Sequence, residues 1–167
     1  MKLQHDFYVR DVLQVAPDLL GCYLVRNING NIHKYKITEV EAYRGEEDLA
    51  CHASKGRTKR TEIMYHTGGN IYMYIIYGIH WLLNIVTGEK ENPQAVLIRG
   101  IENISGPGRV SKALQLGKEF YGEDLTSSER IWIENKEKTP DIITSKRIGI
   151  DYASAEWRDK PWRFMAQ

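Results

Sequence analysis

The sequence is short of the features that most often announce a function. Its two cysteines, Cys22 and Cys51, form neither a metal-ligand spacing nor a disulfide framework, which favours a reducing compartment. Neither sits in a nucleophile signature, and no lysine stands in an apolar setting suited to Schiff-base chemistry. Charge of one sign is missing too. Lys and Arg number 23 against 22 Asp and Glu, a net charge of +1. A nucleic-acid partner is therefore not announced globally, and any case for one has to be local. There is no internal repeat, no low-complexity segment and no convincing linker. The start, Met1-Lys2-Leu3-Gln4-His5-Asp6, lacks the apolar core of a signal peptide, so the cytosol, or whichever compartment holds the chromosome, is the expected location. The longest apolar run, Asn70 to Thr87, is marginally short for a membrane span and is interrupted by His80, Asn84 and three tyrosines.

What is present is an ordinary globular composition. The chain has 167 residues, 42% of them hydrophobic, which favours one domain with a substantial core. Residues 11–20 read as a short amphipathic helix, with Asp11 as cap, Gly21 as stop and Pro17 as an internal irregularity. Residues 22–27 and 32–43 read as strands. Asn29-Gly30 between them is a strong hairpin signal, because both residues tolerate positive φ. The aromatic run from Asn70 to Thr87 reads as two strands joined at Tyr77-Gly78. Tyr72 and Tyr74 share a face of its first arm, and His80, Leu82 and Asn84 share a face of its second. Gln94 to Ile101 reads as a buried strand, and Gly106-Pro107-Gly108 as a turn leading into a helix over 109–117 with Val110, Ala113 and Leu114 inward. Ile131 to Ile133 and Arg147 to Ile150 read as late strands, and the tail from Glu156 to Phe164 is expected to pack back on the body. Strands dominate and the helices are short, which predicts an α+β domain around an antiparallel sheet.

Three stretches carry possible chemistry. Glu39, Glu41 and Tyr43 alternate along one strand and so share a face. On a solvent face the carboxylates are ordinary surface charges. In a cleft, one becomes a candidate general base and Tyr43 a stacking platform beside it. Arg99 is out of place in an apolar strand and needs an anionic partner. Paired with a carboxylate, it would keep that group ionised and help hold a water. Finally, Lys55, Arg57, Lys59 and Arg60 crowd one loop, which is either a solvated segment or a phosphate contact. His52 has no further ligands at recognisable spacing, so no metal site is expected.

Taken together, Glu39-Val-Glu-Ala-Tyr43, Asp48 to His52, Tyr72 to Gly78, Leu83-Asn84-Ile85 and Val96 to Arg99 resemble a known family. So do Gly106-Pro107 before a helix, Arg147-Ile-Gly149 and the ending Lys160-Pro-Trp-Arg-Phe164. The family is that of the alkyladenine (3-methyladenine, methylpurine) DNA glycosylases, single-domain enzymes without a helix-hairpin-helix. The likeness runs in order along nearly the whole chain. It implies one domain over 1–167, with a curved, mostly antiparallel sheet, short flanking helices and a protruding β-hairpin. It implies a monomer that acts on double-stranded DNA containing damaged purines and needs no cofactor.

The resemblance also implies roles. Glu41 would be the general base for the attacking water, with Arg99 and a backbone carbonyl at Ile148 positioning that water. Tyr43, His52 and Tyr74 would enclose the flipped base, with Leu97 beside it, and Asn84 would disfavour the exocyclic amino group of guanine. Tyr77 would be the wedge entering the minor groove. Ile79, Met64, Gly149, Arg57 and Arg60 would meet DNA. The basic loop differs in length from the family's usual form, and Ile79-His80 departs from its commoner methionine/aromatic pair.

Two other classes fit parts of the pattern. A non-catalytic nucleic-acid-binding domain could keep the scaffold, but would have no need of the whole set Glu41, Arg99, Tyr43, His52, Tyr74 and Asn84. A small glycosidase could use Glu39 and Glu41 as its carboxylate pair, but the tyrosine-rich hairpin and the basic loop argue against it.

Overall fold

One long strand organises the chain in the computed structural model, which describes residues 1–167. The elements run α1 (His5–Tyr8), α2 (Val12–Leu19), β1 (Tyr23–Ile28), β2 (Asn31–Arg44), β3 (Ile71–Ile76), β4 (His80–Thr87), β5 (Gln94–Ile101) and β6 (Ile104–Ser105). They continue with α3 (Pro107–Ala113), β7 (Ile131–Glu134), β8 (Ile142–Ser145), α4 (Ala155–Arg158) and β9 (Arg163–Ala166). The 14-residue β2 pairs with β1 over its first half and with β5 over its second, so it ties the two ends of the sheet together. The strand order is β3-β4-β5-β2-β1-β7, with β9 adding to β2 and β8 to β9, and every pairing is antiparallel. The result is a single curled antiparallel sheet with short helices, the expected α+β class.

The local signals explain these elements. Asp11 caps α2 by accepting from the Leu13 amide at 2.8 Å, and Val12, Val15, Ala16 and Leu19 bury one stripe at helical spacing. Asn29 and Gly30 turn the first hairpin with φ of 52° and 88°, and Tyr77 and Gly78 turn the second with φ of 53° and 67°. Between Ile37 and Val40 the β2–β5 register slips, a bulge that bends β2 just ahead of Glu41. Gly100 lies opposite the bulge. A Cβ there would stand 3.1 Å from Thr38 Oγ1 and 3.2 Å from Glu39 Cβ, closer than side chains normally pack, so the bend needs glycine across from it.

The strand alternation sends the two faces to different uses. Val40, Ala42, Ile71, Met73, Leu83, Ile85, Val96 and Ile98 join α2 and α3 in the main core. The intervening residues face the other way, toward the irregular segment 45–66. A smaller cluster there packs Cys51, Ala53, Ile63, Met64 and Tyr65 against Tyr72, Val86 and Ala95. Both cysteines are buried free thiols.

Several expectations are corrected. Residues 147–150 form no strand. They make a bend, and β8 lies just before it. The cause is Arg147, whose side chain is drawn into the interior and so takes its backbone away from any neighbouring strand. The helix near residue 110 starts at Pro107 and ends at Ala113. Ala113 is exposed while Ser111 is buried, because the helix is too short to complete the expected stripe.

Candidate active site

Four residues on neighbouring strands line up in one row. Register pairs Tyr72 on β3 with Asn84 on β4, Asn84 with Leu97 on β5, and Leu97 with Glu41 on β2. A parallel row two residues away holds Tyr43, Ala95 and Val86. On the hairpin arms, Tyr74 pairs with Leu82. Adjacent strands lie about 4.8 Å apart, so the two rows floor a continuous concave surface. Above it is a cavity of about 930 Å³, large enough for a purine nucleotide, walled by Tyr43, His52, Met64, Tyr72, Tyr74, Leu82, Asn84, Leu97 and Arg99. Ile148, Gly149, Tyr152, Lys55 and Arg60 stand around it, and Tyr77 marks the hairpin end of its rim.

Glu41 stands at the β2 end of this floor, covered by its neighbours. Its side chain is 0% exposed, while Tyr43, Leu97, Arg99 and Ile148 around it all face the cavity. The Tyr43 hydroxyl donates to Oε1 at 2.8 Å and the Ile148 amide donates to Oε2 at 2.6 Å. Each carboxylate oxygen therefore keeps acceptor capacity for a further donor. Arg99 Nη1 stands 3.8 Å from Oε1, while its Nε binds Glu39 Oε2 at 3.1 Å, and Arg163 holds the same Glu39 oxygen at 3.0 Å. Arg99 is thus shared between two carboxylates. Burial pushes the Glu41 carboxyl above its ordinary pKa. The Arg99 charge, the Ile148 amide and the Tyr43 hydroxyl pull the other way. Such a group can take up a proton nearer neutrality than a surface glutamate can, which suits a general base.

The aromatic wall is equally fixed. His52 Nδ1 is 2.9 Å from the Tyr72 hydroxyl, and the His52 ring lies 4.1 Å from that of Tyr74, tilted by 43°. Burial, with Arg60 and Lys55 nearby, pulls the His52 pKa down to about 4, so the ring is neutral at physiological pH. The Arg60 guanidinium sits 5.0 Å from the Tyr74 ring centre. Asn84 is buried, with only a long 3.4 Å bond from its amide to the Leu82 carbonyl, so its polar end is available to the cavity.

The structure gathers Tyr43, His52, Tyr74, Asn84, Leu97, Arg99 and Ile148 at one place, as expected, with Glu41 behind them. Tyr77 and Ile79 are 89% and 72% exposed at the hairpin tip. Two residues expected at DNA stand differently. Met64 is buried in the cavity wall, because the 3-10 turn Glu62–Tyr65 points it inward, so its partner is whatever fills the cavity. Arg57 lies outside the cavity, held by Glu62 at 2.7 Å and Glu91 at 2.6 Å, so a phosphate would compete with two carboxylates for it. For the Ile148 backbone, the visible bond is made by its N–H rather than its carbonyl. Tyr72 and Tyr152 also line the cavity, beyond the residues that the motifs point to. Tyr72 was legible, since alternation puts it on the face of Tyr74. Tyr152 had no signal, as its hydroxyl donates to the Ala50 carbonyl 102 positions away.

A sheet face of this kind, with aromatics around a buried carboxylate beside a projecting hairpin, has the form of an enzyme site for a flat group. Comparison with known proteins narrows it. The family model for methylpurine-DNA glycosylase matches residues 6–105 and 102–167. A protein of Natranaerobius thermophilus is 41% identical over 98% of this chain and 94% of its own length. One of Clostridium perfringens is 43% identical over 98% and 95%, and one of Borrelia garinii subsp. bavariensis is 42% identical over 95% and 92%. All three carry the provisional name 3-methyladenine DNA glycosylase. The chain belongs to the methylpurine-DNA glycosylase family, DNA-repair hydrolases of N-glycosyl bonds. No helix is long and apolar enough to cross a membrane.

Proposed function

We propose that this chain is a monofunctional glycosylase of base excision repair. It flips alkylated purines such as 3-methyladenine and 7-methylguanine, and deaminated or etheno purines, out of duplex DNA. It then hydrolyses the N-glycosidic bond and leaves an abasic site. The observation that carries this reading is Glu41, a wholly buried carboxylate beneath an aromatic cavity and shared with Arg99.

In this mechanism Tyr77 enters the minor groove and fills the space of the extruded nucleotide, offsetting part of the few kcal/mol that unstacking costs. The base lies against Tyr43 on one side and His52 and Tyr74 on the other. An electron-poor alkylated purine is drawn to these rings as a cation is. Water enters where Arg99 and Ile148 border both the cavity and Glu41, with the Ile148 carbonyl as a second hold. As the bond from C1′ to the base nitrogen lengthens, the sugar gains oxocarbenium character, which the Glu41 carboxylate stabilises. Glu41 takes the proton of the attacking water, oxygen bonds to C1′, and the bonding pair leaves with the base. A purine methylated at N3 or N7 is already cationic and leaves neutral, with no further acid, whereas neutral hypoxanthine or ethenoadenine leaves with the pair as an anion and takes its proton from solvent. Asn84 selects against the guanine amino group, and Leu97 and Met64 shape the wall. Arg57, Arg60, Ile79 and Gly149 meet the DNA around the lesion. With water rather than an amine as nucleophile, the strand stays uncut. The working form is a monomer in the cytoplasm, where bacterial DNA lies.

The test is incubation with duplexes carrying hypoxanthine, ethenoadenine or methylated purines, followed by alkaline cleavage. Base release with an intact strand before alkali is expected for at least one lesion. No release from any of them would end this reading.

A further inference from the structure

We infer that Arg147 is a positioning residue for the excision reaction: locked to Asp48, it fixes the bend at 147–149 so that the Ile148 amide is aimed at Glu41. This rests on Glu41 being the base.

Arg147 and Asp48 are far apart in the chain and meet with both side chains 0% exposed. Their contact is a two-pronged pair, Nη1 to Oδ2 at 2.6 Å and Nη2 to Oδ1 at 3.0 Å. The same two nitrogens also donate to the Ala42 carbonyl on β2 and to the Trp157 carbonyl in the tail, each at 3.0 Å. The guanidinium lies 4.9 Å from the Tyr43 ring centre and 5.0 Å from that of Trp162. Asp48 in turn accepts from the amides of Arg44 and Ala50, at 2.9 and 3.0 Å. One side chain thus pins the loop after β2, the end of β2 and the C-terminal tail around a single point. The next residue along the chain is Ile148.

A buried ion pair of this kind is weak support for stability, since well-packed apolar residues often do as well or better. What it gives here is geometry. Gly149 has φ of 76°, and the segment has no strand partner that would otherwise set its path. Arg147 is the anchor nearest to the amide that reaches Glu41. Loss of it frees that amide to drift, and displacements of about 1 Å at a reacting centre can lower rates on the order of 100-fold.

The groups facing Glu41 are Tyr43 on its own strand, Arg99 on β5, and Arg147 with the Ile148 amide on the bend. Behind them stand Glu39 on β2, tied to Arg99, Arg163 on β9, tied to the same Glu39, and Asp48, tied to Arg147. Arg147→Lys keeps the charge and removes the fork, so these neighbours stay in place.

The experiment compares wild type, Arg147→Lys and Glu41→Gln in three ways: Tm, single-turnover excision against pH, and the amide proton shift of Ile148 by NMR. In wild type the Ile148 proton should lie far downfield and move as Glu41 titrates, and in Glu41→Gln that movement should vanish. In Arg147→Lys the signal should move upfield, the acid limb should shift to higher pH, and the rate should fall on the order of 10- to 100-fold while lesion binding persists. The NMR readout needs only a folded chain, so it decides the matter even if activity is lost. An unmoved Ile148 signal with an unmoved acid limb would overturn the positioning role and leave Glu41 as base. An active Glu41→Gln would overturn both.

Discussion

Two hairpin tips in this chain share one backbone geometry and differ in what they show to solvent. Asn29-Gly30 and Tyr77-Gly78 both place two successive residues at positive φ, the turn that best matches strand twist. Asparagine takes this conformation readily, and the first tip is further braced by Asn27, whose side-chain oxygen accepts from the Gly30 amide at 2.9 Å. Tyrosine does not take it readily, at a cost of about 1–2 kcal/mol, and Tyr77 is 89% exposed with Ile79 beside it. The first turn therefore serves the fold. At the second, strain and exposed apolar surface coincide on the rim of the cavity, where folding needs neither. That coincidence is what the proposed wedge role for Tyr77 rests on.

The two hairpins are joined through β2, which starts in the first and carries Glu41 near its end, and through β5, which pairs β2 with the second, so each prediction sets one region against the other. The largest effect belongs to Glu41→Gln. Excision should fall by a factor on the order of 10²–10⁴, the usual worth of a general base. Tm should hold or rise, because the raised pKa means that burying the ionised group opposes folding at neutral pH. Single-turnover assays and calorimetry read both, and a lower Tm would show that the carboxylate is structural.

Exchanging the tips comes next. Tyr77→Asn should raise stability by about 1–2 kcal/mol while excision drops at least about tenfold, and Asn29→Tyr should lower stability by a similar amount with excision unchanged. Urea unfolding alongside excision assays checks this. Equal activity in the two variants would erase the distinction between the tips. Tyr77→Ser should likewise weaken flipping while leaving binding to undamaged duplex.

The pH dependence separates the two titrating groups of the site. His52 has its pKa lowered in the fold, to about 4 from 6.5. It therefore gives stability that is complete above pH 6.5 and is lost as pH falls toward 4. Glu41, with its pKa raised, works in the opposite sense, favouring the fold as pH falls through its pKa. Chemical unfolding from pH 4 to 8 should show the His52 slope vanish in His52→Gln. A slope unchanged by that substitution would place the acid sensitivity elsewhere. The smallest effect is expected for Tyr72→Phe, which removes the bond to His52 Nδ1 and should cost about 1 kcal/mol and a few-fold in rate. Thermal melts and the excision assay would show it, and a variant with wild-type stability would mean that the hydroxyl does not hold the ring.

Much of this is legible in the sequence. Alternation put Glu41 and Tyr43 on one face and Tyr72 with Tyr74 on another. Arg99 stood out as a charge in an apolar strand that needed an anion, and the structure supplies Glu39 as well as Glu41. Periodicity failed at Ala113, where a short helix leaves its stripe incomplete, and at 147–150, where an apolar run reads as strand but is bent by a buried arginine. Neither Met64's burial nor Arg57's engagement with Glu62 and Glu91 follows from a loop without a period.

The sequence by itself determined the turns, the capped helix, the two-faced strands and, through the order of its motifs, the family. These are local matters of φ, alternation and composition, each settled within a few residues. Only the tertiary structure decided what meets at Glu41. Its second oxygen is held by an amide 107 positions away, and the anchor of that amide is an aspartate 99 positions from its arginine. Contacts of such range arise when the sheet curls and the tail folds back, and no pattern in neighbouring residues encodes them.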